Sequence, residues 1–534
     1  MSETTYRNER PVKNMQVVQF ASLWLFALSV SLPCSVASAQ FSALASDRGP
    51  EPDTRRDGEW LQTNMDGYVL SQRVIKLAPQ AEPQPALSVV LIPHEFDLID
   101  GNAAVQYLQA ISFAEQTNAQ NAMREFQQKN VREAQATGKN IAEVEPYVWL
   151  KTAPADLPLE DVRKYLSYSG FQVRFLEQAV QRRHLNFDRN IQSDDNPIGY
   201  LLPEIQVMRE LARLQSMRFR LAIAEGRSQD ALKIFGQQLA LGHHLDDEDF
   251  LVSNLVGIAC ASIGINDAYY LSESSAAPNM YWAIASLPQP LVSMRQSMAY
   301  EREFLFEQFK QFREVDETPQ PPIYWQRFMR GITENLASAE AFGARLPQDM
   351  YYTPAGLATM VAAAYPGAKL FLVEELQMDA TAVEELPIPQ VVFLAIRRLY
   401  ERQRDEFFKL QYIPSSQRAP FAPDDKLRAD RNKYGWVTAL SDLFLPAVQT
   451  AMGAKERLQQ QLALLQTLES LRDYLASHDG QLPQKLSDLR LPAPQDPITQ
   501  QPFAYVREEG RAKLSGAVAT RIKYEFEIVP TLKK

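Results

Sequence analysis

Cysteine is nearly absent from this chain, with Cys34 and Cys260 the only two in 534 residues. A disulfide-stapled scaffold and a zinc module built on paired cysteines are therefore excluded. Histidine is scarce too, at five residues, and glycine is sparse at 21 against 34 prolines, with no repeating pattern of either, which excludes a collagen-like or low-complexity chain. Positive charge is not in surplus: 55 Lys and Arg face 65 Asp and Glu, a net −10, and a protein whose main partner is nucleic acid needs the opposite balance. Missing as well are H-E-x-x-H, the P-loop, G-x-S-x-G, C-x-x-C and G-x-G-x-x-G, so neither a cofactor nor a metal is expected. What is present is ordinary: 46% hydrophobic and 22% charged residues over a length that can bury a large core without covalent help.

The N-terminus reads as an address. Arg7, Arg10 and Lys13 precede an apolar run from Val17 to Val30, and Ala37-Ser38-Ala39 follows before Gln40. Basic flank, short apolar stretch and small-residue site together make a secretory signal peptide over residues 1–39. An uncleaved anchor is the competing reading, because the run extended to Val36 approaches the length that spans a bilayer. Elsewhere no segment approaches that length without charges. Cleavage would remove Cys34 and leave Cys260 alone within Leu255-Val256-Gly257-Ile258-Ala259-Cys260, where it reads as a small buried hydrophobe.

Residues 40–94 read as a flexible tether and extended arm, because 41–58 is rich in charge, Pro and Gly; Leu87 to Ile92 is a candidate strand. From 95 to 410 apolar residues recur at helical spacing. Val162, Leu166, Ser169, Val173, Leu176 and Val180 trace one stripe, and Val207, Leu211, Leu214, Met217, Leu221 and Ala224 another. Pro158 and the pair Ser228 and Asp230 mark helix starts. Gly226, Ala231 and Phe235 fall at the spacing of a tetratricopeptide-type hairpin, but no regular repeat surrounds them, so an irregular superhelix of helical hairpins is expected. Residues 411–435 lose periodicity and read as a linker; 436–534 read as a separate α+β module, with a helix from Lys455 to Ser477 and an antiparallel sheet near 502–506, 511–515 and 521–529. The fold class is thus mainly α with a small C-terminal sheet.

The densest ionisable cluster is His243-His244-Leu245-Asp246-Asp247-Glu248-Asp249. A divalent cation could use such carboxylates, yet helix capping by Asp246 and dipole complementation by Glu248 and Asp249 explain them without an ion, and adjacent imidazoles on a helix diverge. His94, His184 and His478 are isolated, and a Ser-His-Asp assembly is a matter of geometry that sequence leaves open. Asp194-Asp195 and Asp424-Asp425 invite a glycosidase reading, but both sit in polar, proline-flanked stretches typical of solvated turns.

Two resemblances add to this. Ala277 to Leu291 with Arg295 and Glu301, together with Leu98 to Ala104 and the hairpin at Gly226, resemble an uncharacterised exported, helix-rich family of planctomycete-type bacteria, which implies no activity. In that stretch Asn279 and Pro288 read as helix punctuation, Trp282 as a core anchor, and Arg295 with Glu301 as partners across turns or exposed charges. The second stretch, Leu458 to Tyr505 with Tyr474, Gly480, Leu482-Pro483, Leu489, Asp496-Pro497 and Pro502 to Tyr505, resembles the soluble part of a type II secretion pseudopilin. The apolar pseudopilin helix is missing, with Phe444 to Val448 only a relic, and a calcium site implied by that resemblance would rest on Asp496.

These readings converge on an exported, non-enzymatic interaction or scaffold protein of the bacterial envelope, periplasmic or extracellular. A protein partner is expected, with no nucleic acid and no membrane span after cleavage. Alternatives are a periplasmic hydrolase with a site on the concave helical surface, and a factor docking to secretion or pilus machinery through residues 436–534.

Overall fold

The amino-terminal arm is part of a sheet. In the computed structural model, which describes residues 54–112, 118–138, 144–189, 202–341 and 354–531, strands β1 (Thr54–Asp57), β2 (Trp60–Met65) and β3 (Tyr68–Leu77) form a meander. β3 then pairs in parallel with the last strand of the chain, β10 (Ile522–Pro530), from Val69 opposite Ile522 to Leu77 opposite Pro530. With β8 (Ala504–Glu508) and β9 (Arg511–Ser515) the sheet runs β1-β2-β3-β10-β9-β8. Two small ribbons, β4 (Ile99–Asn102) with β5 (Arg182–His184) and β6 (Gln495–Asp496) with β7 (Gln501–Pro502), complete the strands. This corrects the reading of 40–94 as tether and arm over its described part. Leu87 to Ile92 forms no strand, while the strands lie upstream, where the inward face carries Ser71 and Arg73 beside Ile75 and Leu77 and so lacks a clean alternation.

The charged residue on that face, Arg73, is held by one hydrogen bond and by aromatic rings. Arg73 is buried, donates to the Asn266 carbonyl at 3.0 Å and lays its guanidinium against the Tyr269 and Tyr270 rings, at 5.0 and 4.7 Å. Opposite it, Ile522, Tyr524, Phe526 and Ile528 of β10 alternate inward, and Trp60 of β2 packs edge-on to Tyr524 at 5.5 Å.

Between β3 and β10 comes the helical bulk: α1 (Ala104–Ser112), α2 (Asn118–Thr137), α3 (Leu159–Ser167), α4 (Gly170–Ala179), α5 (Pro203–Ala224), α6 (Ser228–His244), α7 (Leu251–Ser272), α8 (Tyr281–Ala285), α9 (Arg295–Gln308), α10 (Pro322–Ala341), α11 (Pro354–Glu374), α12 (Ala380–Glu385), α13 (Ile388–Phe408), α14 (Asp424–Tyr434) and α15 (Ala439–Ser477). The mainly α class with a C-terminal antiparallel sheet is therefore observed. Among the described residues two helices, α7 and α11, are long and apolar enough to cross a membrane by length and composition, and each carries a charged residue in its apolar stretch, Asp267 and Lys369. α7 is apolar on all sides because it lies in the centre, against α5, α6, α15 and β3. Gly242 of α6 and Gly257 of α7 make the closest of these contacts: a Cβ on either would meet the other's carbonyl oxygen at 2.7 Å.

One hydrophobic cluster runs from Ile75 through α6, α7, α9, α13 and α15 to Ile528. The C-terminal residues thus share the core of the helical region. The stretch expected to be a linker holds α14, whose Tyr434 is buried and donates to Glu375 Oε1 at 2.7 Å, and whose Asp430 accepts from Arg402 at 2.9 Å and Gln403 at 2.8 Å. α15 begins well before Lys455 and passes through Pro446 without ending, because Leu445, Val448, Ala451 and Leu458 keep one face buried. It stops where Asp479 and Gly480 take positive φ and the Gly480 N–H returns to the Leu475 carbonyl at 2.9 Å.

Candidate functional site

The stripe Val207, Leu211, Leu214, Met217 and Leu221 lies on α5, the first helix of the hairpin that turns at Gly226. Its facing stripe, expected as one helical face, is split between α3, with Val162 and Leu166, and α4, with Val173, and Ser169 stands at the break between them. The junction of α3 and α4 bears on α5, and on each side of that contact a hollow remains.

The first hollow has a volume of about 300 Å³. Its floor is Leu150, Val207, Leu211, Leu214 and Met217; Met123, Arg124 and Gln127 of α2 and Tyr147 wall it, and Tyr165, Gln172, Glu210 and Arg213 complete the ring of polar groups. The walls are held by specific bonds. Tyr165 accepts from Gln127 Nε2 at 2.7 Å, and its ring meets Phe126 at 5.6 Å and Trp149 edge-on at 5.8 Å. The loop carrying Tyr147 is tied down by Arg220, which donates to the Thr152 carbonyl at 2.8 Å, and by the Lys151–Asp57 ion pair at 2.6 Å. Burial pushes the Tyr165 hydroxyl well above the ordinary phenol range and raises that of Tyr147, so both stay neutral at physiological pH. Arg213 and Glu210 pair with each other on α5. Gln172 Oε1 is a buried acceptor with no donor.

The second hollow, about 400 Å³, lies beyond the junction, over Leu166, Val173, Leu221 and Ile234. Its rim charges are largely paired with one another: Lys233 with Glu177 at 3.2 Å and Arg227 with Asp230 at 2.5 Å. Burial lowers the Arg218 pKa there.

The acidic cluster is taken up by backbone N–H groups and by side chains of neighbouring segments. Asp246 does not cap the next helix, which begins after Phe250 with no side-chain cap. Its carboxylate accepts from the Ser293 and Met294 N–H groups at 2.8 and 2.7 Å and so holds the turn that leads into α9, a segment that only the folded chain brings near. Asp247 accepts from Leu185 N–H at 2.9 Å, Glu248 pairs with Arg189, and Asp249 accepts from Gln296 at 2.6 Å. His244 is buried between the Arg182 carbonyl on Nε2 and the Tyr107 hydroxyl on Nδ1, both at 2.9 Å. The carbonyl accepts only, so the proton sits on Nε2 and Nδ1 accepts from Tyr107. Burial pulls its pKa down to about 4. His243 bonds the Leu291 carbonyl at 2.8 Å, His478 stacks on Tyr474 at 3.7 Å, and His94 and His184 are exposed. No histidine lines either hollow.

Cys260 is buried among apolar residues, and burial pushes its thiol up to about 12. Asp424 and Asp425 are exposed in the first turn of α14, while Asp194 and Asp195 lie outside the described residues, as does the segment 1–39. Asp496 is buried, and its oxygens accept from Gln460 Nε2 at 3.1 and 3.0 Å, Ile498 N–H at 2.9 Å and Ala517 N–H at 2.7 Å. A carboxylate filled with N–H donors presents positive dipoles where a calcium ion would sit. Arg295 and Glu301 do not pair: Arg295 is exposed and Glu301 is buried in α9. Asn279 does punctuate α8, accepting from Tyr281 N–H at 2.9 Å, and also ties α15 to the chain after β3 by donating to the Glu469 and Gln80 carbonyls. Trp282 is only half-buried and donates to Glu82 at 2.8 Å.

Sequence reasoning found the floor of the hollow, as a helical stripe, and missed its ring of polar groups. Tyr147, Tyr165, Gln172 and Arg213 come from four separate elements with no shared spacing. Chemically the arrangement offers an apolar surface, one unanswered acceptor and a charged rim, a set suited to holding an amphipathic group. The chain matches no family model, no curated protein and no solved structure.

Proposed function

We propose that this is an exported, non-enzymatic interaction protein of the bacterial envelope, with the first hollow on α5 as its contact surface. The observation that carries the reading is a hollow of about 300 Å³ with an apolar floor and converging polar groups that contain no nucleophile and base in partnership. Export rests on the basic flank, apolar run and Ala37-Ser38-Ala39 of the first 39 residues. Both resemblances, to an exported helix-rich family and to a pseudopilin soluble part, agree with an extracytoplasmic role without naming a partner.

The test is site-specific photocrosslinking in cells. A photoreactive residue at Arg124 or Tyr147, at the mouth of the hollow, is expected to capture one envelope protein, whereas the same residue at Lys523 or Val506, on the outer face of the sheet, captures none. Equal capture from both surfaces, or none from the mouth, overturns the reading.

A further inference from the structure

The free hydrogen-bonding groups of the first hollow are neutral, and they fix the polarity of what enters it. Its volume of about 300 Å³ over Leu150, Val207, Leu211, Leu214 and Met217 accommodates one large apolar side chain with its flanking backbone. Gln172 Oε1 is buried on the wall and accepts from no donor, a state that costs free energy until a ligand N–H reaches it. Tyr165 accepts from Gln127 at 2.7 Å and keeps its own proton to give, and among the described residues the Tyr147 hydroxyl makes no hydrogen bond. Burial raises both phenols, so they remain donors throughout the physiological range. The hollow thus offers one acceptor and two donors beside an apolar floor.

The charges at its mouth are already answered. Arg213 pairs with Glu210 on α5, and Arg124 is engaged as well. A ligand bearing a net charge would give up its water over the apolar floor without meeting an unpaired countercharge, a loss that an uncharged group escapes. An amide fits what is left, since it is neutral and carries an N–H donor and a carbonyl acceptor on adjacent atoms.

From these observations we infer that the hollow takes an uncharged amide beside a large apolar side chain: the side chain lies over α5, the amide N–H donates to Gln172 Oε1, and the carbonyl accepts from Tyr147 or Tyr165. A peptide segment of a partner and a free acylated amino-acid amide share this chemistry. As the docking of a partner's segment it rests on the interaction reading, and the test separates the two sources.

The purified full chain is titrated by ligand-observed NMR with acetyl-phenylalanine amide, acetyl-alanine amide, the anion acetyl-phenylalanine and the cation phenylalanine amide, at a mildly acidic pH that keeps the last one charged. The first binds, and the second loses at least about tenfold, the value of the buried ring. Both charged compounds also bind at least about tenfold more weakly than the first, and the gap persists at high salt because it reflects lost hydration rather than a charge contact. Gln172→Leu, which keeps the side chain's volume and removes the acceptor, weakens the first compound about five- to tenfold with an unchanged thermal midpoint. Tyr147→Phe, which removes only the hydroxyl, weakens it about two- to tenfold. Equal affinity for all four compounds, tighter binding of a charged one, or no binding of the first overturns the inference. Photocrosslinks from Arg124 and Tyr147 to an envelope protein without binding of acetyl-phenylalanine amide sink the inference and leave the interaction reading standing. Binding of that amide without any protein captured supports the inference, assigns the site to a free small molecule and overturns the interaction reading.

Discussion

Glu469 and Arg472 form an ion pair at 2.9 Å in which neither side chain is reached by solvent. Every remaining polar atom of the pair is spoken for. The carboxylate accepts from Ser272 Oγ at 2.7 Å and Met280 N–H at 2.8 Å, and the guanidinium donates to the carbonyls of Ala78, Ser274 and Ala277 at 2.9 to 3.0 Å. Three segments far apart in the chain, the exit of β3, the end of α7 and the C-terminal part of α15, therefore meet on one charge pair.

Removing one member leaves the other charged and dry. Glu469→Ala or Arg472→Met is expected to cost about 3–5 kcal/mol in urea unfolding, and the double variant less than the two losses combined. A loss below about 1 kcal/mol for the single variants would show that the pair does not organise this junction.

A chain ending at residue 435 should not retain a native helical region. Such a truncation strips the α15 face from α7 and α13 and leaves β3 without β10. Hydrogen exchange on residues 54–435 is expected to report loss of protection through α7, while a single sharp thermal transition with native-like circular dichroism would establish the C-terminal part as a separate module after all.

Gly236 sits where a Cβ would lie 2.0 Å from the Leu91 carbonyl oxygen, a backbone atom that cannot swing aside. Gly236→Ala is expected to destabilise by about 1–3 kcal/mol or more through overpacking. Gly510, with a positive φ of 80° and open space around it, should tolerate alanine sterically and lose stability only through the backbone conformation, by less. Thermal midpoints of the two variants rank them, and a reversed order would contradict the close approach at Gly236.

Two buried groups oppose each other in pH. Burial pushes the Glu301 carboxyl up to about 7, above its ordinary 4.5, so the folded state holds a proton that the unfolded state has released and stability falls as pH rises through that window. His244 is held down to about 4 from 6.5, so the unfolded state binds the extra proton and stability falls as pH drops through nearly the same window. Glu301→Gln removes the first slope. Its advantage over the parent should grow from near zero at pH 4.5 to roughly 3 kcal/mol at pH 8, leaving acid sensitivity exposed, as urea unfolding across pH will read. A difference independent of pH would mean that Glu301 does not change its protonation on folding.

Cys260 should resist thiol reagents in the native protein and react on unfolding, because its thiol is both enclosed and pushed up to about 12. Peptide mapping after alkylation in buffer and in urea distinguishes this from a reactive thiol, which would be labelled in both.

Local periodicity carried much of this fold into view. The stripes along α3, α4 and α5, the leucines of α15 and the alternation of β10 each reflect a face that must be buried whatever lies opposite, and a repeat of 3.6 or 2 residues records that demand in the sequence. What lies opposite is a different matter. β3 presents Ser71 and Arg73 to the core, and only the aromatic pair Tyr269 and Tyr270 and the parallel strand at the far end of the chain make that acceptable. Asp246 illustrates the same separation: its readiness to accept backbone N–H groups was legible, but the turn into α9 that supplies them is reached only through the fold. The sequence alone thus determined the helical class, the absence of motif-borne chemistry and the apolar floor on α5. Tertiary structure alone decided that strands near residues 54–77 and 522–530 share one sheet and that Gln172, Tyr147, Tyr165 and Arg213 face a common hollow, because long-range partners are chosen by shape and by the need to satisfy buried polar groups, and neither has a period in the sequence.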